Sequence, residues 1–271
     1  MEAKAELFER LYPEEFIAKC FDSGVRPDAR KLMQQRPVSI NWTQSGACLV
    51  KIGTSSALAT VKLAVGTPTL ATPDQGEIDL QVLLAGVCAS KFSTQRTTDE
   101  AQSLSSYLTR TLLSSKCIDL RDCCIERGKS AWKLLVEVTF LDHDGNAMDT
   151  AMLATMAVLS KLKIPAISIA PDSIVSLAED QTANSPFPLH QTLISTTFGE
   201  YRTHLVVDPT AQEEELLSSS FSILYTTDGE FAGVYKAGGQ PLAPATLHQC
   251  IQAAKDRSAQ IAALLKSQSS D

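Results

Sequence analysis

A chain of 271 residues with 44% hydrophobic side chains can build a sizeable core, as one large domain or two small ones, and disorder over most of its length is excluded. The formal net charge of −7 argues against coating duplex nucleic acid through overall charge and leaves room only for a local basic patch. No apolar span reaches membrane length and the acidic N-terminus shows no signal-peptide arrangement, so the cytosol or nucleus is the expected compartment and no membrane is expected as a partner.

In chain order, residues 2–21 carry an amphipathic helical pattern, with Leu7, Leu11, Phe16, Ile17 and Phe21 among many charges and Pro13 as an early break. This segment is expected to dock on another surface. Residues 24–30 form a loop in which Arg26, Asp28 and Arg30 can make charge-assisted hydrogen bonds. A meander of short strands follows at residues 38–42, 48–52 and 57–65, punctuated by Ser45-Gly46 and Gly53-Thr54, before a surface loop at 67–76. Residues 77–87 return to a strand pattern. The next helix is capped by Thr97 or Thr98, places Asp99 and Glu100 at the positive end of its dipole, and turns Ala101, Leu104, Tyr107, Leu108, Thr111 and Leu112 to one face. Residues 118–125 read as a further strand.

Residues 134–165 carry the strongest local signal. Leu134, Val136, Val138 and Phe140 alternate with Leu135, Glu137 and Thr139, which fits a strand with one buried face. Asp144-Gly145-Asn146 supplies a turn. A helix capped by Asp149 or Thr150 should follow, apolar around nearly its whole circumference from Ala151 to Leu162, and such a helix belongs between layers. Pro165 stops it. Beyond lie short strand and loop at 166–179, a turn at 184–188, strands at 193–198, 204–207 and 220–226, a hairpin partner at 231–235, and a long last helix at 245–266. The order predicts an α+β fold with no regular βαβ series, which disfavours a Rossmann arrangement.

Chemistry-bearing residues are sparse. Seven cysteines, odd in number and lacking a C-x-x-C pair, signal neither a disulfide framework nor a zinc site and are expected to be buried or inert. His143 beside Asp144 suggests a proton shuttle, but a turn histidine is more often solvated or hydrogen-bonding. Asp142, Asp144 and Asp149 suggest a metal cluster, yet turn formation and helix capping explain them more simply. His190, His204 and His248 are dispersed, and there is no G-x-S-x-G or phosphate-cradling glycine loop. No catalytic residue, metal site or cofactor is therefore expected.

Several stretches together carry a resemblance. Residues 24–30, GACLVKIGT at 46–54, LDHDGN at 141–146, and Val207-Asp208-Pro209-Thr210 with Glu213, Glu214 and Glu215 resemble the RNase PH superfamily in order and spacing over nearly the whole chain. LDHDGNAMD and VDPTAQEEE are similar to its non-catalytic ring class in the eukaryotic RNA exosome. The resemblance implies a duplicated fold related to domain two of ribosomal protein S5, with β-sheets and packed helices. It places an N-terminal extension at 1–25 and an RNase PH-like domain at 26–271, its halves at about 26–165 and 166–271. It also implies a hexameric ring of RNase PH-like paralogues around an RNA channel, with cap proteins and an associated nuclease. Single-stranded RNA is the implied ligand, ribosomal RNA maturation and mRNA turnover the implied processes, and nucleus, nucleolus and cytoplasm the implied locations.

Phosphorolytic members of the family use arginines to hold phosphate and the RNA backbone, because attacking and departing groups are both anionic. Where these have a Gly-Thr-Arg sequence, this chain places Ala147-Met148-Asp149; where they have Arg before Glu at a helix start, it has Asp99-Glu100. Residues 187–193, where active relatives carry an Asp-rich pattern, contain no carboxylate. The resemblance thus implies a non-catalytic subunit in which Lys62, Lys91 and Arg96 steer RNA near the channel. The rival reading is an active phosphate-dependent 3′-to-5′ exoribonuclease with Arg127 or Arg202 replacing the lost arginines; a third is a stand-alone RNA-binding protein.

Overall fold

The computed structural model describes residues 8, 10–44, 46–84, 86, 88, 99–169, 175–177 and 184–268. Helix α1, Pro13–Asp22, begins at the proline, and the helical residues before it end at Leu11, so the break expected at Pro13 is where a new helix starts. Proline suits the first helical position because its missing N–H has no acceptor there, and Glu14 and Glu15 favour the same positive end. Ile17 and Phe21 pack against Val206, so the N-terminal segment is anchored on the second half of the chain.

Strands β1 (Val38–Trp42), β2 (Cys48–Ile52) and β3 (Ser55–Gly66) form the expected meander, and β4 follows at Glu77–Leu83. Helix α2 spans Asp99–Ser114; its predicted threonine caps lie outside the described residues. The strand predicted at 118–125 is mostly a tight 3-10 turn at Leu120–Cys123, with strand β5 only at Cys124–Glu126. The Asp119 side chain accepts the Arg121 N–H and winds the backbone there, a local bond that competes with sheet pairing. Strand β6, Ser130–Asp142, pairs antiparallel with β3 from Ser56↔Asp142 to Gly66↔Ala131. It also pairs parallel with β4. This one crossover through α2 was not apparent from the element order, and it arises because a helix covering the Ile78, Leu80 and Val82 side chains returns the chain in the same direction. The first sheet runs β1-β2-β3-β6-β4, with β5 beside β6.

Helix α3, Ala147–Ser160, is buried from Met148 to Leu159. It packs on β2, β3 and β6 and, across the molecule, on β11 of the second sheet. An all-round apolar helix between layers is therefore what forms. Two short ladders, β7 (Lys163–Ile164) with β10 (Ser185–Pro186) and β8 (Ile167–Ile169) with β9 (Val175–Leu177), connect to the second half. Its sheet contains β11 (Leu193–Tyr201), β12 (His204–Val207), β13 (Ser219–Thr226) and β14 (Phe231–Tyr235), in the order β12-β11-β13-β14 and all antiparallel. Between β12 and β13 the segment that reads as a linker winds into the short helix α4, Ala211–Glu214. The last helix, α5 (Pro244–Gln268), lies across β11 and β13 with Cys250, Ala254 and Ile261 buried.

Because α3 is the shared layer, its side chains hold both halves at once. Leu159→Ala removes a fully buried side chain and should lower stability by about 2–5 kcal/mol in urea denaturation, while Leu141→Ala, on a residue 40% exposed, should change it far less.

Candidate functional site

The head of α3 is where the recognisable motifs converge. Gly145 (φ 74°) and Asn146 (φ 56°) turn the chain from β6 into the helix through left-handed backbone. At Gly145 a Cβ would lie 2.5–2.7 Å from backbone atoms of Pro209, Thr210 and Ala211, so only glycine lets the two loops touch. Asn146 is the cap, its side chain accepting the Asp149 N–H, and the helix starts earlier than the predicted Asp149 or Thr150 cap. Asp149 is instead recruited across the layer: its carboxylate accepts the Thr197 N–H at 2.8 Å, the Thr197 hydroxyl at 2.7 Å and the Asn146 amide at 2.8 Å.

Opposite this turn stands the loop after β12. The Asn146 side-chain amide also donates to Asp208 at 2.6 Å, and the Asn146 N–H donates to Glu214 at 2.7 Å. Three carboxylates, Asp149, Asp208 and Glu214, thus meet at one asparagine. A helix N-terminus attracts negative charge through its unpaired N–H groups and its dipole, and here the protein's own side chains take that position.

Three arginines from residues 26–36 secure the same loop. Arg36 grips Asp208 through Nε at 2.9 Å and a terminal nitrogen at 2.7 Å, and donates to the Asp144 carbonyl at 2.7 Å. Arg30 pairs with Asp28 as anticipated and reaches Asp208. Arg26 is almost wholly buried, pairs with Glu213, and donates to the Val207 and Asp208 carbonyls at 2.7 and 2.9 Å. Glu213 in turn accepts the Thr210 N–H at 2.8 Å. Arg26 therefore bridges to a motif distant in sequence and does not merely lock its own loop.

The charges respond to this setting. Burial raises the Asp208 carboxyl, but the Arg36 guanidinium and then Asn146 outweigh it and hold Asp208 below its ordinary 3.8. At Asp149 burial prevails over Ser195, Asn146 and Thr197, and the carboxyl stays above its ordinary value. Burial lowers Arg257 of α5, with Asp149 and Asp208 opposing. Burial also pushes the Cys48 and Cys250 thiols up to about 12 and Cys123 to about 11, which suits inert core thiols; Cys20 and Cys124 are only partly buried.

Other anticipated residues scatter. Met148 is buried in the core and brings no charge to the helix head. Asp142 bonds to Ser56 and Asp144 to Thr54, so with Asp149 turned to Thr197 the three aspartates take separate partners; among the described residues no cluster fit for a metal forms. His143 is not solvated: it is buried, edge-on to Phe140 at 5.8 Å. His190 pairs with Asp122 and His204 with Asp22. The carboxylates facing the helix head come from Asp208 and Glu214, which the focus on residues 187–193 missed; the run of acids after Val207 was the available signal. Lys62 is exposed on β3, roughly 20 Å along the strand from Ser56 beside this site, while Lys91 and Arg96 lie outside the described residues. Arg127 sits in the turn before β6, roughly 40 Å along that strand from its Asp142 end, and Arg202 lies over the Tyr201 ring.

Arg36→Met should cost about 3–5 kcal/mol because it strands a buried carboxylate, and adding Asp208→Leu should recover part of the loss in the same denaturation assay. Asp149→Asn can keep every partner, with Thr197 Oγ1 turning its proton to Ser222, and should stay within about 1 kcal/mol of wild type; Asp149→Ala leaves the Thr197 N–H unpaired and should cost about 1–3 kcal/mol. The two carboxyls have opposite pH signatures. Asp208, lowered on folding, contributes stability above pH 3.8 that disappears as pH falls below it; Asp149, raised on folding, loses stability as pH climbs from 3.8 through its folded value. Denaturation across that range should therefore show Asp149→Asn gaining on wild type as pH rises.

Comparison with known proteins completes the picture. The sequence pattern described as the 3′ exoribonuclease family, domain 1, matches residues 34–165, and that of domain 2 matches residues 191–257. The chain is 32% identical over 232 residues to exosome complex component Rrp42 of Saccharolobus solfataricus, covering 84% of each protein. It is 28% identical over 255 residues to exosome complex component rrp43 of Schizosaccharomyces pombe, covering 93% of this chain and 94% of that one. Among solved structures, a chain of the Archaeoglobus fulgidus exosome with RNA bound to the active site has a TM-score of 0.80 at 24% identity, covering 91% of this chain and 95% of its own. A chain of an archaeal exosome core has a TM-score of 0.78 at 23% identity, over 97% and 99%. At those identities the structural likeness is one of fold, and it is the RNase PH fold that the motifs implied. With both of the family's sequence patterns matched across the two halves, the chain belongs to the RNase PH family of 3′ exoribonuclease-related proteins.

Proposed function

We propose that this chain is a structural, non-catalytic subunit of an RNA exosome core ring, assembling with RNase PH-like paralogues and supporting 3′-to-5′ RNA processing and degradation by the complex. The relatives named above are exosome components, and the coverage of their full length supports the same place in a ring. The observation that carries the non-catalytic part is the head of α3, where Asp149, Asp208 and Glu214 occupy the position an anion would need. Phosphorolysis requires positive groups that converge on attacking phosphate and the departing phosphodiester. Here Arg36, Arg30 and Arg26 are committed to internal carboxylates and carbonyls, and Met148 brings no charge.

The partners in this reading are the other ring subunits, cap proteins, an associated nuclease and single-stranded RNA, with Lys62, Lys91 and Arg96 as candidate contacts for the strand. Location in nucleus, nucleolus and cytoplasm belongs to the same proposal and is tested by imaging a tagged chain. Purified alone, the protein should release no nucleoside diphosphates from RNA supplied with inorganic phosphate, and it should co-purify in a stable mixed assembly with its RNase PH-like paralogues. Phosphorolysis that disappears on changing Arg127 or Arg202 would establish the active exoribonuclease instead, and a persistent monomer with tight RNA binding would establish a stand-alone RNA-binding protein.

A further inference from the structure

Strand β11 is longer than its neighbour β12. Pairing between them runs from Tyr201↔His204 to Phe198↔Val207, and among the described residues the preceding part of β11 has no strand on that side. Substitutes satisfy some of the exposed peptide groups. The Thr197 N–H goes to the Asp149 carboxylate, the Thr197 carbonyl accepts the Asp208 N–H at 2.9 Å, and the Leu193 N–H points to the Met156 sulfur at 3.2 Å. A strand presents its peptide groups to one edge at every second residue, so Ser195, midway between Leu193 and Thr197, turns its N–H and C=O to the same open edge.

A small cavity of about 20 Å³ lies there, apolar on the side of Leu153 and Ile261 and polar where Asp149 of the α3 head, Thr196, Asp208 and Arg257 of α5 face it. That volume fits one water, which needs roughly 10–15 Å³ and two to four polar partners. Too many polar groups face it for the chain alone to satisfy. The Thr196 hydroxyl is buried and has no hydrogen-bond partner among the described residues. Arg257, half-buried, forms no ion pair within 4 Å among the described residues, although Asp149 and Asp208 both act on it electrostatically. Buried backbone N–H groups and guanidinium donors left without acceptors are costly, so an arrangement of this kind persists where something small and able to both donate and accept completes it.

We infer that the cavity is a built hydration site, in which one water completes the edge of β11 at Ser195 and bridges it to Arg257 and to the carboxylates at the head of α3. An anion is disfavoured by Asp149 and Asp208, and a cation by Arg257; water can donate to the carboxylates while accepting from Arg257 and the peptide. The water then links three elements, α3, β11 and α5, and makes Arg257 the means by which the last helix acts on Asp149.

A crystal structure of the full chain at about 1.5 Å should show a single water within hydrogen-bond distance of the Ser195 N–H and the Arg257 guanidinium. A direct Arg257–Asp149 ion pair, or a dry cavity, overturns the inference. A second test avoids reliance on crystals. Thr196→Val and Arg257→Met remove two of the polar side chains that face the water, and their combined effect on the folding equilibrium constant should fall short of the product of the single effects by about tenfold, because losing either one already weakens the shared water. Simple multiplication of the two effects overturns it equally; Thr196→Val keeps the shape of the side chain and Arg257→Met keeps its apolar stem, so the folded state remains available for measurement.

Discussion

The pairing of Arg36 with Asp208 is the centre of a network that holds distant parts of the chain in register. It joins the loop before the first strand to the loop after β12, and through the Asp144 carbonyl it also fixes the turn into the buried helix. A bidentate guanidinium–carboxylate contact is directional as well as strong, so it sets orientation and not only proximity. Buried charge pairs repay their desolvation poorly unless every remaining donor and acceptor is met. Here Asn146, the Arg36 N–H and Arg30 supply the remaining bonds to Asp208.

The same network decides what the helix head can do. A helix N-terminus flanked by arginines is a physical recipe for holding phosphate. In this chain the recipe is satisfied internally: the carboxylates are part of the protein, and the guanidinium groups are spent on holding the loop that delivers them. The strand, turn and buried helix thus carry a polar network closed among the protein's own side chains, and the proposed non-catalytic reading rests on that closure.

The strands, the three long helices and most of their limits were legible in the sequence because alternation and helical periodicity report burial directly, as at Leu134, Val136, Val138 and Phe140. Failures were local. The 3-10 turn at Leu120–Cys123 arises from one Asp119 side-chain bond that hydrophobic pattern cannot register, and α4 is shorter than any periodicity can signal. At the site, the turn Asp144-Gly145-Asn146 and the acids after Val207 were both visible as motifs. Their meeting was not, because the bonds between them span more than sixty residues in sequence, as in Asn146 with Asp208.

The sequence by itself determined most of the elements, the family and an uncharged Met148 at the start of the buried helix, since these depend on residue identity and local spacing. Only the tertiary structure decided where the remaining charges go. Asp149 could be read as a helix cap, yet it faces Thr197 on the second sheet, and His143 could be read as solvated, yet it lies against Phe140. Both outcomes follow from packing α3 between two layers, which removes water from polar groups at its head and brings Asp149 a partner from a distant strand in Thr197.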